Sequence, residues 1–392
     1  MVLVVGDTTY LDYKGIKAKR EGYGPTGNGG NGLILHSSLA VEPEQGQPLG
    51  LLWEKLWHRE HKVKPPANES TERKKARQAA QRQANRKRAF EEKESYRWVE
   101  ALIAVQKQCQ AVEEQLKQAK EQLTEPDLVI GTQTRIIHVF DREGDIAEVF
   151  EQIRQMERTG VVVRAAHDRS LKAANSHLWE YMSTQPVQFT QDVELPATTK
   201  REARTAKLDV RFAQVQLRSP RRLSNQDSLA VYAVYAVETE PPEGEVAVSW
   251  MLLTTESVTT ATEATTILRW YTYRWHVEEY HKILKSGCKA ESYRLAATSM
   301  EALLGFLTVI AVELLRVTYL HRTQPQAHAS IVLAPVQLDV LKARADTLPN
   351  QLTVAWAVQA VAQLGGYLGH RKEFADRHSG TLERVAKIGI PV

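Results

Sequence analysis

The segment from Tyr271 to Lys285 constrains what this chain can fold into more than any other stretch. It contains good helix formers and neither glycine nor proline, so we expect it to form one helix. With about 100° of rotation per residue, one face of that helix carries a phenol, a carboxylate and three cations: Tyr271, Arg274, Glu278, Lys282 and Lys285. A face packed in the core would be apolar. A single acid among cations instead suits a group that holds a metal ion while its neighbours hold phosphates.

Two apolar runs elsewhere in the chain lead directly into an aspartate. Residues 2–6 are predicted to form a buried strand before Asp7, and residues 135–140 another before Asp141. An aspartate at the end of a core strand can bind a metal ion at the edge of a sheet, but an Asx turn or a helix cap explains Asp7 equally well. Asp145 falls in the first turn of the next predicted helix, where an acid is expected to be a structural cap.

These motifs resemble those of one enzyme family, the bacterial cut-and-paste transposases of the insertion-sequence-four family. The resemblance to its YREK signature is carried by Tyr271, Arg274, Glu278 and Lys285. The string Gly-Asp-Thr-Thr at 6–9 resembles the family's first catalytic motif, and Asp-Arg-Glu-Gly-Asp at 141–145 resembles its second. The resemblance implies a DDE triad that holds two magnesium or manganese ions: Asp7, Asp141 and Glu278.

The same resemblance implies a set of side chains that contact DNA: Arg164, Trp250, Tyr271, Arg274, Lys282 and Lys285. Arg164 is expected near the cleaved end, and Trp250 is expected to stack on a flipped base. Judged by the residues alone, Arg164 could be an ordinary exposed arginine and Trp250 a core tryptophan on a strand. The interval between Trp250 and the glutamate helix matches the family, which favours the DNA contact.

The order of strand and helix patterns predicts an α/β protein with an RNase H-like catalytic core, an inserted all-β subdomain and a C-terminal helical region. The predicted boundaries are 1–57 for the first three core strands, 58–130 for a basic helical insertion, 131–184 for the fourth and fifth core strands, 185–255 for the β insertion, 256–295 for the helix with the YREK motif, and 296–392 for C-terminal helices. The resemblance implies that these last helices form a dimerisation region. Near the end, Leu364–Gly369 resembles a C-terminal motif of the family, without the tryptophan that usually follows it.

A basic run rich in glutamine and alanine occupies the first half of the predicted helical insertion. Its cations are Arg73, Lys74, Lys75, Arg77, Arg82, Arg86, Lys87 and Arg88. A solvated helical arm and a contact to the DNA backbone explain this run equally well.

Two tempting sites are rejected from the sequence. Gly22–Gly27 satisfies G-x-G-x-x-G, but Pro25 interrupts it and a strand pattern follows, so a hairpin loop is expected and not a dinucleotide site. His276 and His281 have the wrong spacing to share a helical face, so neither is expected to bind zinc.

Composition places limits on the class of protein. The formal net charge of the 392 residues is only +4, so local patches must carry any argument for nucleic acid. Two cysteines, Cys109 and Cys288, make neither a disulfide framework nor a zinc site, which indicates a reducing compartment. The N-terminus lacks the features of a signal peptide, and the apolar run from Leu303 to Val312 is too short to span a bilayer. A cytoplasmic protein is expected.

The resemblance to the family implies the function of a DNA transposase, which nicks DNA at transposon ends and transfers the strands into target DNA. Its expected partners are the terminal inverted repeats, target DNA and a second copy of itself, with no membrane. The family places a helical DNA-binding domain before the first aspartate, which here is residue 7. A truncated regulator that dimerises with and inhibits a full-length transposase is therefore an alternative, and a metal-dependent nuclease outside transposition is another.

Overall fold

The fold is α/β, built on one large mixed sheet. The computed structural model describes residues 1–13, 21–27, 29–61, 66, 68–122, 134–172, 176–195, 203–220, 222–223, 228–345 and 348–364. The strands are β1 (Val2–Asp12), β2 (Gly24–Pro25), β3 (Asn31–Val41), β4 (Pro48–Trp57), β5 (Ile136–Phe140), β6 (Thr159–Arg164), β7 (Phe189–Leu195), β8 (Arg204–Arg218), β9 (Ser228–Glu238) and β10 (Ser249–Thr254). Within these ranges they form a ten-stranded sheet in the order β2-β3-β1-β5-β6-β10-β9-β8-β7, with β4 paired to β3.

Most helices occur in stretches where the sequence pattern predicts them, but the helix Leu178–Thr184 and most of the helix Ala261–Thr272 were not predicted. They are α1 (Thr71–Lys87), α2 (Tyr96–Gln122), α3 (Ala147–Gln155), α4 (Leu178–Thr184), α5 (Ala261–Thr272), α6 (Trp275–Lys282), α7 (Ala297–Thr323), α8 (Pro335–Arg344) and α9 (Val354–Leu364). The predicted C-terminal motif lies outside the described residues after Leu364. The domain boundaries given above stay predictions.

The chain divides into two units that interleave along the sequence. The first unit comprises Met1–Asp7, Ser38–Trp53 and Leu102–Glu279. The second comprises Thr8–Ser37, Glu54–Ala101 and Tyr280–Val392.

The parallel strands β1, β5 and β6 form the buried centre of the first unit. Gly6 on β1 is paired with Phe140 on β5, and Phe140 is paired in turn with Val163 on β6. All five residues of β5 are buried, which explains the continuous apolar run, since a strand covered on both faces has no solvent side. Antiparallel strands β10, β9, β8 and β7 continue the sheet beyond β6, and they account for the alternating pattern between 185 and 255.

The second unit contains the predicted hairpin and the apolar C-terminal helices. Gly24 on β2 is paired with Gly32 on β3, so the glycine-rich string forms a hairpin as expected. Helix α7 packs against α9. The apolar run from Leu303 to Val312 lies within α7, which continues past Glu313 to Thr323.

One helix in the described part of the chain, α7, passes a test of length and composition for crossing a membrane. Its most apolar 18-residue stretch has a mean hydropathy of 1.9, and 44% of that stretch is buried. Core helices of soluble proteins pass the same test, and one such helix is weak support for a membrane span. The fold is consistent with a protein that does not span a membrane.

Two sequence expectations were wrong in detail. Strand β1 does not end at Gly6 but continues to Asp12, because the β-branched and aromatic residues after Asp7 favour extended backbone. The predicted single helix from 271 to 285 is broken into α5, a turn at Tyr273–Arg274, α6 and a π-helical turn over Ile283–Gly287.

Tertiary contacts explain the turn between α5 and α6. The Tyr273 hydroxyl donates to the backbone oxygen of Glu44 at 2.9 Å. Gly46 lies beneath the Tyr273 ring, where a Cβ would come within 2.4 Å of a ring carbon. These contacts draw Tyr273 toward the loop before β4, which local helix propensity does not reveal.

Candidate active site

The first two predicted catalytic residues lie side by side in the sheet. Asp7 and Asp141 are the next residues after the paired positions Gly6 and Phe140 on neighbouring parallel strands. Asp7 lies within β1, and Asp141 directly follows the end of β5. Neighbouring strands are about 4.8 Å apart, so the two aspartates are neighbours at the point where β5 ends. Both are half-buried.

Asp141 also has a local structural role. Its Oδ1 accepts a hydrogen bond from the backbone N–H of Glu143 at 2.8 Å and so caps the short 3-10 turn over Arg142–Gly144. Gly144 is required there, since a Cβ would come within 2.6 Å of Phe140. One carboxylate oxygen of Asp141 is thus used by the turn, and a cap and a metal ligand are compatible in the same side chain.

Asp145 is structural, as predicted, but it does not cap helix α3, which begins at Ala147 after Ile146 and has no side-chain cap. Its carboxylate is fully buried and forms an ion pair with Arg169. It also accepts hydrogen bonds from the backbone N–H groups of Ala166 at 2.7 Å and His167 at 3.2 Å. This aspartate therefore ties the segment after β6 to the segment after β5, which holds Asp141.

Arg274 connects Glu278 to Asp7. Its guanidinium donates to Glu278, four residues along the chain, and lies 3.8 Å from Oδ2 of Asp7. Burial disfavours the charged guanidinium, but the attraction of Glu278, Tyr271 and Asp7 outweighs it and raises the pKa of Arg274 above its ordinary value. Two of the three predicted catalytic carboxylates thus share one cation.

Tyr271 and Trp250 continue this line of contacts. The Tyr271 ring is 5% exposed, and the Arg274 guanidinium carbon lies 5.9 Å from its centre. Trp250, on β10, meets Tyr271 edge to face with ring centres 5.2 Å apart and an interplanar angle of 69°. Trp250 is half-buried, so part of its ring remains accessible.

Arg164 is held next to the strand that carries Trp250. It is the last residue of β6 and is paired with Leu252 on β10. Its guanidinium donates to the backbone oxygen of Ser249, which precedes Trp250, at 2.9 Å. Seven of the nine predicted site residues therefore belong to the first unit: Asp7, Asp141, Arg164, Trp250, Tyr271, Arg274 and Glu278.

The two predicted lysines belong to the second unit. Lys282 is exposed. Lys285 donates from its Nζ to the backbone oxygen of Tyr10 at 2.9 Å and lies 3.4 Å from Oε1 of Glu291. Glu291 accepts in turn a hydrogen bond from the backbone N–H of Asp12 at 2.8 Å. Lys285 is therefore part of a hydrogen-bonded polar cluster.

The three carboxylates have the donor chemistry that a divalent ion needs. Here, however, the negative charge of two of them is compensated by a cation of the chain itself. Among the described residues, no cluster of three or more His, Cys, Asp and Glu side chains is close enough to hold a metal ion. Arg274 neutralises Asp7 and Glu278 instead. An ion held by Asp7, Asp141 and Glu278 would therefore require the carboxylates to turn away from Arg274.

The two histidines near Glu278 are not arranged as ligands. Nδ1 of His276 lies 3.5 Å from Oε2 of Glu279. His281 is buried and bonded to Ser37, and burial lowers its pKa to about 3, so its ring is neutral at physiological pH.

Sequence reasoning missed a polar network in the second unit. The Arg97 guanidinium donates to the Thr8 hydroxyl at 2.9 Å, and that oxygen lies 2.8 Å from Nδ1 of the buried His36. Arg97 also lies over the rings of Trp57 and Trp98. The available signal was Thr8, which directly follows the first aspartate in the resembling motif.

A buried carboxyl group, Glu54, was also missed. Its Oε1 accepts hydrogen bonds from the hydroxyls of Ser37 at 2.8 Å and Tyr280 at 2.6 Å. Burial raises the pKa of Glu54 although these hydrogen bonds oppose the shift. Strand β4 offers no sequence sign that its glutamate faces inward.

No protein-family model matches this chain.

Proposed function

We propose that this protein is a divalent-metal-dependent DNA transposase of the DDE class, with Asp7, Asp141 and Glu278 as its catalytic carboxylates. The observation that carries the proposal is the placement of Asp7 and Asp141 after a paired position on parallel strands, with Glu278 joined to Asp7 through Arg274. Three acids distant in the sequence are thus linked within one unit.

The proposal includes an RNase H-like core. Its strands would be β4, β3, β1, β5 and β6, which are neighbours in that order. Along the chain, the first of them contains Asp7 and the fourth is directly followed by Asp141. The antiparallel strands β7 to β10 would be the inserted β region that precedes the glutamate helix. The order of the strands and the positions of the acids support this interpretation.

The chain's own residues would act by binding and orienting DNA. When bound at the three carboxylates, two magnesium or manganese ions would activate water or a 3′-hydroxyl and stabilise the leaving oxygen. If Arg274 were released from Asp7 and Glu278, its guanidinium would be free to bind a phosphate through two hydrogen bonds. Tyr271 would pack against that arginine. Trp250, which contacts Tyr271, would offer a half-exposed ring on which an unpaired base could stack.

The proposed DNA-binding surface also includes two lysines and a second arginine. Lys282 and Lys285 would contribute phosphate contacts, and Arg164 would contact DNA near the cleaved end. The DNA partners would be the terminal inverted repeats of a mobile element and a target sequence. A homodimer in the synaptic complex and a cytoplasmic location complete the proposal.

A nicking assay with matched variants tests the catalytic assignment. Purified protein with manganese should nick or join DNA fragments taken from the flanks of its own gene. Asp7→Asn, Asp141→Asn and Glu278→Gln should each reduce this to background. Glu143→Gln and Glu279→Gln make the same chemical change beside two of these positions and should leave activity close to that of the wild type.

The outcomes separate the assignment from its alternatives. Full activity in any of the three carboxylate variants would remove that residue from the site. An inactive wild type whose melting temperature still rises with manganese, and only when the three carboxylates are intact, would contradict the enzyme and favour the inhibitory regulator.

A further inference from the structure

Helix α1 is a strongly basic helix with no packed face. None of its 17 residues is buried. It carries seven cations against the single acid Glu72: Arg73, Lys74, Lys75, Arg77, Arg82, Arg86 and Lys87. A helix that is polar on every side gains nothing from a hydrophobic core, so its composition needs another explanation.

Local interactions hold α1 in a helical form without tertiary packing. The Ser70 side chain accepts a hydrogen bond from the backbone N–H of Arg73 and caps the N-terminus. The Arg77 guanidinium makes two bonds of 2.9 Å to the carboxylate of Glu69. Alanine and glutamine fill most remaining positions and favour helix. The cations are therefore presented on a preformed element.

We propose that α1 is a DNA-binding arm that contacts the phosphodiester backbone of double-stranded DNA. The identity of the nucleic acid rests on the proposed function; the choice of a phosphate backbone rests on the helix itself. At about 1.5 Å per residue, α1 is about 25 Å long and can follow several successive phosphates. Lys75, Arg82 and Arg86 share one side, since seven and four residues are close to whole helical turns.

The composition of α1 favours phosphates over other partners. The helix contains no apolar side chain larger than alanine, so it has nothing to insert into a lipid bilayer, which needs leucine, phenylalanine or tryptophan. A groove on a protein partner would also need apolar anchors at helical spacing. Phosphates require only cations, and neutralising them releases condensed counterions.

The salt dependence of DNA binding tests this arm. We compare the full chain with the triple variant Lys75→Gln, Arg82→Gln, Arg86→Gln on a 30-base-pair duplex of arbitrary sequence, by fluorescence anisotropy between 50 and 200 mM salt. Each lost phosphate contact lowers the slope of log K against log salt by about 0.9, so the triple variant should lose about 2 to 3. At low salt its affinity should fall by at least about tenfold.

A charge-preserving triple variant is the matched control. Lys75→Arg, Arg82→Lys, Arg86→Lys keeps every charge and should retain the wild-type slope. Glutamine is a good helix former, so far-ultraviolet circular dichroism should be the same for all three proteins. An unchanged slope in the glutamine variant would overturn the arm, as would tighter binding of the wild type to phosphatidylserine vesicles than to the duplex.

The arm and the catalytic proposal fail in different ways. If the wild type nicks DNA with manganese but the glutamine variant keeps the wild-type salt slope, the proposal that α1 binds DNA is wrong and the proposed enzymatic activity is supported. If the slope falls as expected but the wild type nicks no DNA under any condition, the proposal that α1 binds DNA is supported and the proposed enzymatic activity is wrong. Where both hold, the glutamine variant should nick normally at saturating DNA and poorly at low DNA concentration.

Discussion

Arg274 forms an ion pair with Glu278 one helical turn further along the chain, and its second guanidinium nitrogen lies 3.8 Å from Asp7. One cation thus compensates two carboxylates that are far apart in the sequence. This arrangement offsets the mutual repulsion of the two carboxylates.

Replacing Arg274 should therefore impair both stability and DNA nicking. Arg274→Gln leaves two half-buried carboxylates without their cation and should lower the free energy of unfolding by about 1–3 kcal/mol. Nicking with manganese should be lost, because glutamine has no charge for a phosphate, and Arg274→Lys should not restore it fully. Urea unfolding and the nicking assay measure the two effects.

Arg269→Gln is the control for this prediction. Arg269 pairs with Glu44 at 3.0 Å, but this pair lies at the surface, with side chains 38% and 67% exposed. Its loss should cost less than about 1 kcal/mol and leave nicking intact. Equal behaviour of the two variants would contradict a special role for Arg274.

Trp250→Ala should weaken binding to DNA that presents an unpaired base. Stacking of a base on an aromatic ring contributes about 1–3 kcal/mol, so affinity should fall by about 5- to 150-fold. Fully paired duplex should be affected much less, and Trp250→Phe should retain much of the affinity. Equal losses for both DNAs, together with a large loss of stability, would instead identify Trp250 as a core residue.

The two aspartates of the string at 141–145 should respond differently to the same substitution. Asp145→Asn leaves Arg169 without its buried partner and should destabilise the fold by about 3–5 kcal/mol. Asp141→Asn should change stability by less than about 1 kcal/mol, since the amide oxygen can still accept from Glu143, yet it should abolish nicking. Urea unfolding and nicking at low temperature distinguish them, and a stable Asp145→Asn protein would contradict the structural role.

His138 should make the fold sensitive to acid. It is fully buried on β5, neither ring nitrogen has a hydrogen-bond partner among the described residues, and burial lowers its pKa from 6.5 to about 3. The unfolded chain takes up the proton first as pH falls below 6.5. The stability contributed by the neutral ring is therefore complete above pH 6.5 and is lost progressively toward pH 3.

His138→Leu removes this titration. The stability of the variant relative to wild type should rise as pH falls from 6.5 to 4, by up to about 1.4 kcal/mol per pH unit. Urea unfolding at several pH values measures the difference, and the comparison at pH 8 isolates the effect of packing. Parallel stability curves for the two proteins across this range would contradict the assignment.

Most elements could be predicted from the sequence because their patterns are local. The alternation in β8 and β9 and the apolar run of β5 reflect how many faces of each strand are covered. The length of β1 and the break after α5 could not be predicted this way. The break depends on a hydrogen bond from Tyr273 to Glu44, far away in the sequence.

The sequence by itself determined the α/β class, most of the strands and helices, and which acidic and basic residues to test, because periodicity and residue chemistry are properties of short segments. Only the tertiary structure decided that Asp7 and Asp141 are neighbours across parallel strands and that Arg274 joins Glu278 to Asp7. The same holds for the buried ion pair between Asp145 and Arg169. The physical reason is that strand pairing and desolvation bring together groups far apart along the chain, and no local pattern records which partner each buried charge will find.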